Sequence, residues 1–167
     1  MKQNIINCAN KLNYNIVNLS VDIFSASTIP RQFYKTNNNK EFILWKIDRN
    51  NNHYLVFFFK NSLNGYINLR SNEKKINIIN SAGSIYGVNL LNNFIKSIFV
   101  DKKEFNEVKN IYVYQTKDDM LFIKKTVESF SNIQPLDISI LFDDSNKKKY
   151  KFLPYVENGI SLKGIDV

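Results

Sequence analysis

Tyr54-Leu55-Val56-Phe57-Phe58-Phe59 is the longest unbroken apolar run in the chain, and its reading decides the fold. Six residues suit a strand and fall far short of the roughly 20 that a bilayer-crossing helix needs. A strand without polar alternation has no face for solvent, so it belongs near the middle of a sheet covered on both sides. At an open edge it would be a template for aggregation.

Working outward, Glu41–Asp48 is also β-rich, and the polar turn Arg49-Asn50-Asn51-Asn52 between the two is of hairpin length. Ser62-Leu63-Asn64-Gly65 reads as a turn into Tyr66–Arg70, and Asn72–Lys75 as a turn into Ile76–Asn80, which completes a meander over residues 41–80. From Gly87 the period changes. Val88, Leu91, Phe94/Ile95 and Ile98/Phe99 predict a helix at about 87–100 laid on a core.

Ile111–Gln115 reads as a short strand. Asp118 and Asp119 suit the opening turn of a second helix at about 117–132, with Met120, Ile123, Val127 and Phe130 as its inner stripe. Pro135 follows its end, and Leu136–Phe142 and Tyr150–Val156 read as strands joined by the turn Asp143–Lys149. The tail Ile160–Val167 is a candidate edge strand.

Towards the start, Ile5, Ala9 and Leu12 predict a short amphipathic helix over residues 2–12. The alternation from Val17 to Phe24 predicts a strand. Ser25–Lys40 reads as the longest irregular stretch, with a helix-disfavouring Ile29-Pro30 step and the run Asn37-Asn38-Asn39. Loops of that length are often functional. The expectation is an α+β fold: one domain over 1–167, a central and mostly antiparallel sheet, and two main helices packed on it.

The 167 residues are 44% apolar with five Gly and three Pro, a globular composition. One cysteine, Cys8, excludes an internal disulfide, and one histidine, His53, excludes a His/Cys metal cluster. Residues 1–20 hold no continuous apolar stretch, so no secretory leader and a cytoplasmic location are expected.

The net charge of +8, from 23 basic and 15 acidic residues, is the electrostatic footprint of a binder of phosphate backbones or acidic surfaces. Base composition is a competing cause. Asn (26), Ile (21), Lys (20), Phe (13) and Tyr (9) all have AT-rich codons, and Lys outnumbers Arg 20 to 3. Arginine is the better bidentate reader of phosphate and guanine, so its scarcity speaks against base-specific recognition.

Of the lysine clusters, only Lys147-Lys148-Lys149 with Lys151 is interleaved with aromatic residues, namely Tyr150, Phe152 and Tyr155. Such a mixture grips a backbone while a ring stacks on a base. Arg31, Phe33, Tyr34 and Lys35 form a second group of this kind. The plain alternative is a solvated hairpin tip that blunts a sheet edge.

Asn80–Gly87 joins a strand to the first main helix through small residues, Gly83 and Ser84 among them, which suits the approach of backbone N–H groups to a phosphate. It has neither the Walker ending nor G-x-G-x-x-G, and a capped helix entry is the plain reading. The element order is similar to that of the GNAT acetyltransferases, whose R/Q-x-x-G-x-G/A loop cradles the acetyl-CoA pyrophosphate. Counting from Ser84 gives Gly87 and then Asn89; counting from Asn80 gives Gly83 and then Ile85. The resemblance is one of layout over most of the chain, without the motif. It implies Gly83, Ser84 and Gly87 at the cofactor, with Tyr112, Tyr114 or Tyr150 as acid.

Glu107-Val108-Lys109 and Asp101-Lys102-Lys103 match the (D/E)-x-K string of metal-dependent nucleases, although 20 lysines make such strings frequent by chance. Leu136–Asp144 resembles the acidic strand of nucleotidyltransferases, but Ser139 stands where a same-face partner of Asp137 is needed, and Asp143 and Asp144 point apart. Their plain reading is a turn with capping aspartates. His53 reads as a strand-start residue near solvent, and Cys8 as a small apolar residue of the first helix.

Three classes follow. The first is a non-enzymatic binding or accessory protein, such as an inhibitor or regulator from a phage, mobile element or parasite. It acts on nucleic acid or on an acidic, nucleic-acid-handling protein through Lys147, Lys148, Lys149, Tyr150, Lys151, Arg31, Tyr34 and Lys35, with no cofactor, metal or membrane. The second is an acyl-CoA-dependent N-acyltransferase, and the third a metal-dependent nuclease. The first is preferred because it requires the fewest residues that are missing.

Overall fold

The computed structural model describes residues 22–34, 41–48, 51–60, 62–72, 75–115 and 121–136. Two short helices, α1 (Asp22–Ala26) and α2 (Thr28–Phe33), precede the strands β1 (Glu41–Ile47), β2 (Asn52–Phe59), β3 (Ser62–Asn72) and β4 (Lys75–Gly83). Helix α3 (Ile85–Ile95) continues as a π-helical segment (Lys96–Asp101), and β5 (Ile111–Gln115), α4 (Leu121–Ser129) and β6 (Ile133–Pro135) follow.

The six strands form one mixed sheet in the order β4-β3-β2-β1-β5-β6. The meander pairs antiparallel, whereas β5 joins β1 and β6 joins β5 in parallel. Helix α3 thus leaves the sheet at its β4 edge, and the chain returns on the far flank of the meander. The fold is α+β, with a sheet that turns parallel where the crossover strands join.

The apolar run behaves as its composition demands. Leu55 and Phe57 point into one core, with Trp45, Ile67, Leu91 and Phe94, while Val56 and Phe58 point into a second, with Phe42, Leu44, Ile29 and Tyr112. Helix α3, the π-helical segment and α4 cover the first face, and α1 and α2 cover part of the second. The ring of Phe58 stacks on Phe42 at 4.9 Å, and Trp45 meets Phe94 and Phe99 edge-on at 5.7 Å each. Such aromatic pairs contribute roughly 0.5–1.5 kcal/mol beyond their area.

Helix α3 buries Gly87, Leu90, Leu91, Phe94 and Ile95, a stripe at i, i+3, i+4, i+7 and i+8. It begins two residues before the predicted 87, and Val88 sits half-buried beside the stripe. Beyond Ile95 the helix widens to π geometry, which ends at Lys102 in the left-handed conformation (φ 50°), with the Lys103 N–H donating to the Ser97 carbonyl. Ile111–Gln115 is a strand as expected, and α4 occupies the middle of the second predicted helix.

Four expectations need correction. Asp22, Ile23 and Phe24 are helical rather than the end of a strand. Ser25–Tyr34 is not irregular, because Pro30 is the third residue of α2 and falls in the first turn, where backbone N–H groups lack intrahelical partners. Ser62–Gly65 is strand rather than turn, and the chain reverses before it, where Lys60 takes φ 49°. A strand begins at Ile133 rather than Leu136, and edge position lets β6 accept Pro135. The predicted elements over 2–12 and 137–167 lie outside the described residues.

Among the described residues no helix is long and apolar enough to cross a membrane.

Because both faces of β2 are buried, Phe57→Ala and Phe58→Ala are each expected to lower stability by about 3–5 kcal/mol, with Asn89→Ala on the exposed side of α3 changing it by less than about 0.5. Urea titration of the three variants checks this, and a mild effect at either phenylalanine contradicts a sheet buried on both sides.

Candidate functional site

The small-residue segment serves packing. Ser84 caps α3, its Oγ accepting from the Gly87 N–H at 3.0 Å and donating to the Asn64 carbonyl at 3.2 Å. The Ser84 N–H also donates to that carbonyl, at 2.8 Å. A Cβ at Gly65 would lie 2.7 Å from the Gly87 carbonyl carbon, and one at Gly87 would overlap the Asn64 carbonyl oxygen. Helix and strand therefore touch backbone to backbone, which only glycine permits. Gly83, at φ +126°, adopts a conformation L side chains rarely take. Gly83, Ser84 and Gly87 thus come together, as a seam between α3 and β3.

His53 is in the core, only 2% exposed, contrary to the expectation of a residue near solvent. The Trp45 Nε1–H, which can only donate, reaches its Nδ1 at 3.1 Å. The ring proton is therefore on Nε2, which faces the Ser71 Oγ at 2.7 Å. Phe99 packs edge-on at 5.1 Å. Burial lowers the His53 pKa from 6.5 to about 4, so the ring is neutral at physiological pH. Its partners come from β1 and β3, and that is what draws a polar residue inward.

Tyr112 and Tyr114 are core residues too. Tyr112 meets Tyr34 edge-on at 4.9 Å and Phe42 at 5.9 Å. Arg31 is exposed, with its guanidinium 5.6 Å from the centre of the Phe58 ring, and Tyr34 is half-buried. The second basic-aromatic group is therefore partly built into the second core, Arg31 against Phe58 and Tyr34 against Tyr112. Lys35, Lys147, Lys148, Lys149, Tyr150 and Lys151 lie outside the described residues, as do Cys8, Asp137, Asp143 and Asp144.

The acidic residues of the two (D/E)-x-K strings, Asp101 and Glu107, line a shallow depression of about 550 Å³ between the π-helical segment and the loop before β5, with Lys103 and Glu104 but without Lys109. Each carboxylate fastens the loop. Asp101 pairs with Lys103 at 3.2 Å, Glu107 accepts from the Asn93 amide at 3.1 Å, and Glu104 accepts from the Ser131 hydroxyl at 2.6 Å. The Ser131 bonds hold the Glu104 carboxyl below its usual range. Among the described residues no group of three His, Cys, Asp or Glu is placed to hold a metal ion.

Two features were not anticipated. A largely apolar groove of about 620 Å³ crosses the second face of the sheet, floored by Tyr54, Tyr66 and Ala82 and walled by Ile23, Phe24 and Leu63. Lys46, 7% exposed, brings a cation to its wall, with Nζ 5.2 Å from the Tyr54 ring centre. Four strands and α1 contribute, so no local sequence pattern announces it. The other feature is β4, nine residues long, at the edge of the sheet among the described residues and exposed at every position except Ile76. Adjacent Ile78 and Ile79 were its one available signal, since they break strict alternation.

Comparison with protein-family models, curated proteins and solved structures finds no match for this chain.

The neutral His53 makes stability depend on pH. Its folded pKa of about 4 lies below the unfolded 6.5, so the unfolded state takes up a proton first and stability falls as pH drops from about 6.5 towards 4. At about 1.4 kcal/mol per pK unit the loss is roughly 3 kcal/mol. Urea midpoints at pH 7.5 and 4.5 should show this for the parent chain and a reduced slope for His53→Gln. Equal slopes contradict the assignment.

Proposed function

We propose that the chain is a non-enzymatic binding or accessory protein, acting by surface contact on nucleic acid or on an acidic protein that handles it. The observation that carries this reading is the division of labour among its side chains. Among the described residues, several groups that the sequence offers for chemistry are engaged in packing: His53 between Trp45 and Ser71, Tyr112 and Tyr114 in the second core, Gly83 and Gly87 in the helix–strand seam. Most of the basic side chains among the described residues are on the outside, Lys46 excepted. Arg31, Lys60, Arg70, Lys75, Lys96, Lys102, Lys103, Lys109 and Lys125 are all exposed.

A net charge of +8 favours acidic company and speeds encounter with it, and three arginines are few for a base-reading cluster. Lys147, Lys148, Lys149 and Lys151 with Tyr150 supply the most concentrated stretch, and Arg31, Tyr34 and Lys35 the second. The lysines neutralise phosphates or carboxylates, and the rings add area and stacking.

Anisotropy titrations with labelled single-stranded and duplex oligonucleotides test this. Four phosphate contacts predict an affinity loss on the order of 100-fold between 50 and 200 mM salt, with a shallower slope when Lys147, Lys148 and Lys149 become glutamate. Flat salt dependence, or no binding at 50 mM, removes nucleic acid as the partner and leaves an acidic protein. Thermal stabilisation by CoA supports the acyltransferase instead, and cleavage only with added divalent metal the nuclease; either overturns the proposal.

A further inference from the structure

Of the six large apolar side chains that stand exposed among the described residues, Ile78, Ile79, Leu63, Ile85 and Tyr86 gather along β4 and the Gly83 end beside it. Ile78 and Ile79 are 45% and 50% exposed at the middle of the strand, and Ile85 is 83% exposed just beyond it. Edge strands in monomeric proteins are usually short or interrupted by central charges or proline. Strand β4 runs for nine residues, about 30 Å, without proline, and its one charge is Lys75 at its first position.

We propose that β4 joins two copies of this chain, the strands pairing antiparallel about a two-fold axis between Ile78 and Ile79 so that the two sheets become continuous. The internal register of β4 fits this arrangement. Residues opposite one another on paired strands share a face. Ile78 lies opposite Leu69 and Ser81 opposite Ile67, both core residues beneath α3, and Ile76 lies opposite Ser71 on the same side. Asn77, Asn80 and Ala82 lie opposite Arg70, Asn68 and Tyr66 on the groove side.

The register shift between Asn68 and Leu69 leaves Ile79 as the extra residue and resets the alternation along β4. Because of that shift, a two-fold between Ile78 and Ile79 matches both faces. Ile76 meets Ser81 of the second copy on the α3 side, and Asn77 meets Asn80 on the groove side. At the axis each Ile78 meets an Ile79, so four isoleucines form the centre and the polar residues fall outside it, as in self-complementary interfaces.

Charge allows the pairing. Lys75 comes opposite Ala82 of the second copy, about seven residues or roughly 24 Å from its own mate, well beyond the Debye length of about 8 Å at physiological salt. The net +8 on each chain opposes association as a whole, so added salt strengthens this dimer. That is the reverse of its effect on contact with nucleic acid, and the proposal stands apart from the functional reading above.

Light scattering coupled to gel filtration of the full chain, from about 1 to 100 µM and at 0.15 and 0.5 M salt, provides the test. The expected result is a species of twice the 19.6 kDa chain mass that gains population with concentration and with salt. Ile78→Lys and Ile79→Lys, both at exposed positions, should each raise the dimer dissociation constant at least 100-fold with far-UV circular dichroism and melting temperature retained. Val100→Lys, on an exposed side chain of the π-helical segment, should leave the dimer intact. A monomer at every concentration overturns the proposal and leaves the edge to another occupant. A dimer that survives both isoleucine substitutions overturns it as well.

Discussion

Phe57 and Phe58 leave the same strand on opposite sides, and each is almost wholly withdrawn from water. That constraint organises the rest. A strand apolar on both faces cannot be stable until something lies over each of them, and the chain answers with α3 and α4 on one side and α1 and α2 on the other. It also fixes β2 inside the sheet, with β1 and β3 as neighbours. The crossover strand β5 then finds its place beside β1, and its alternating Tyr112, Val113 and Tyr114 feed both cores in turn.

The same burial explains why so many reactive groups are unavailable for reaction. A sheet packed on both faces draws in whatever side chains its strands carry, and polar ones enter only with partners. His53 is the clearest example: Trp45 and Ser71 satisfy its two nitrogens, and neutrality costs less than charge in that setting. The glycines that resemble a phosphate cradle are consumed by the approach of α3 to β3. Among the described residues, apolar surface remains in view at β4 and in the groove beside Lys46.

Much of this was legible from local pattern. The apolar run predicted a central strand, because six such residues leave no solvent face, and the α3 stripe predicted a helix on a core. Signals with two meanings misled. Gly65 reads as a turn residue in the sequence, but glycine also serves close approach, and here it receives Gly87. The alternation ending at Ile23 pointed to a strand, yet Ile23 is equally well buried by a short helix. His53, the groove and the place of β4 in the sheet depend on contacts between distant segments, which no window of sequence contains. The lysine-rich stretch at 147–151 was visible from composition, and the described residues do not reach it.

Native-state hydrogen exchange at Leu55, Val56, Phe57 and Phe58 tests the central claim most directly. If burial of β2 on both sides holds the fold together, these amides exchange only through complete unfolding, and their opening free energies equal the value from urea titration. Opening free energies several kcal/mol below that value, with the amides of α3 still protected, would mean that the strand leaves the sheet while the rest stands, and the account would be wrong.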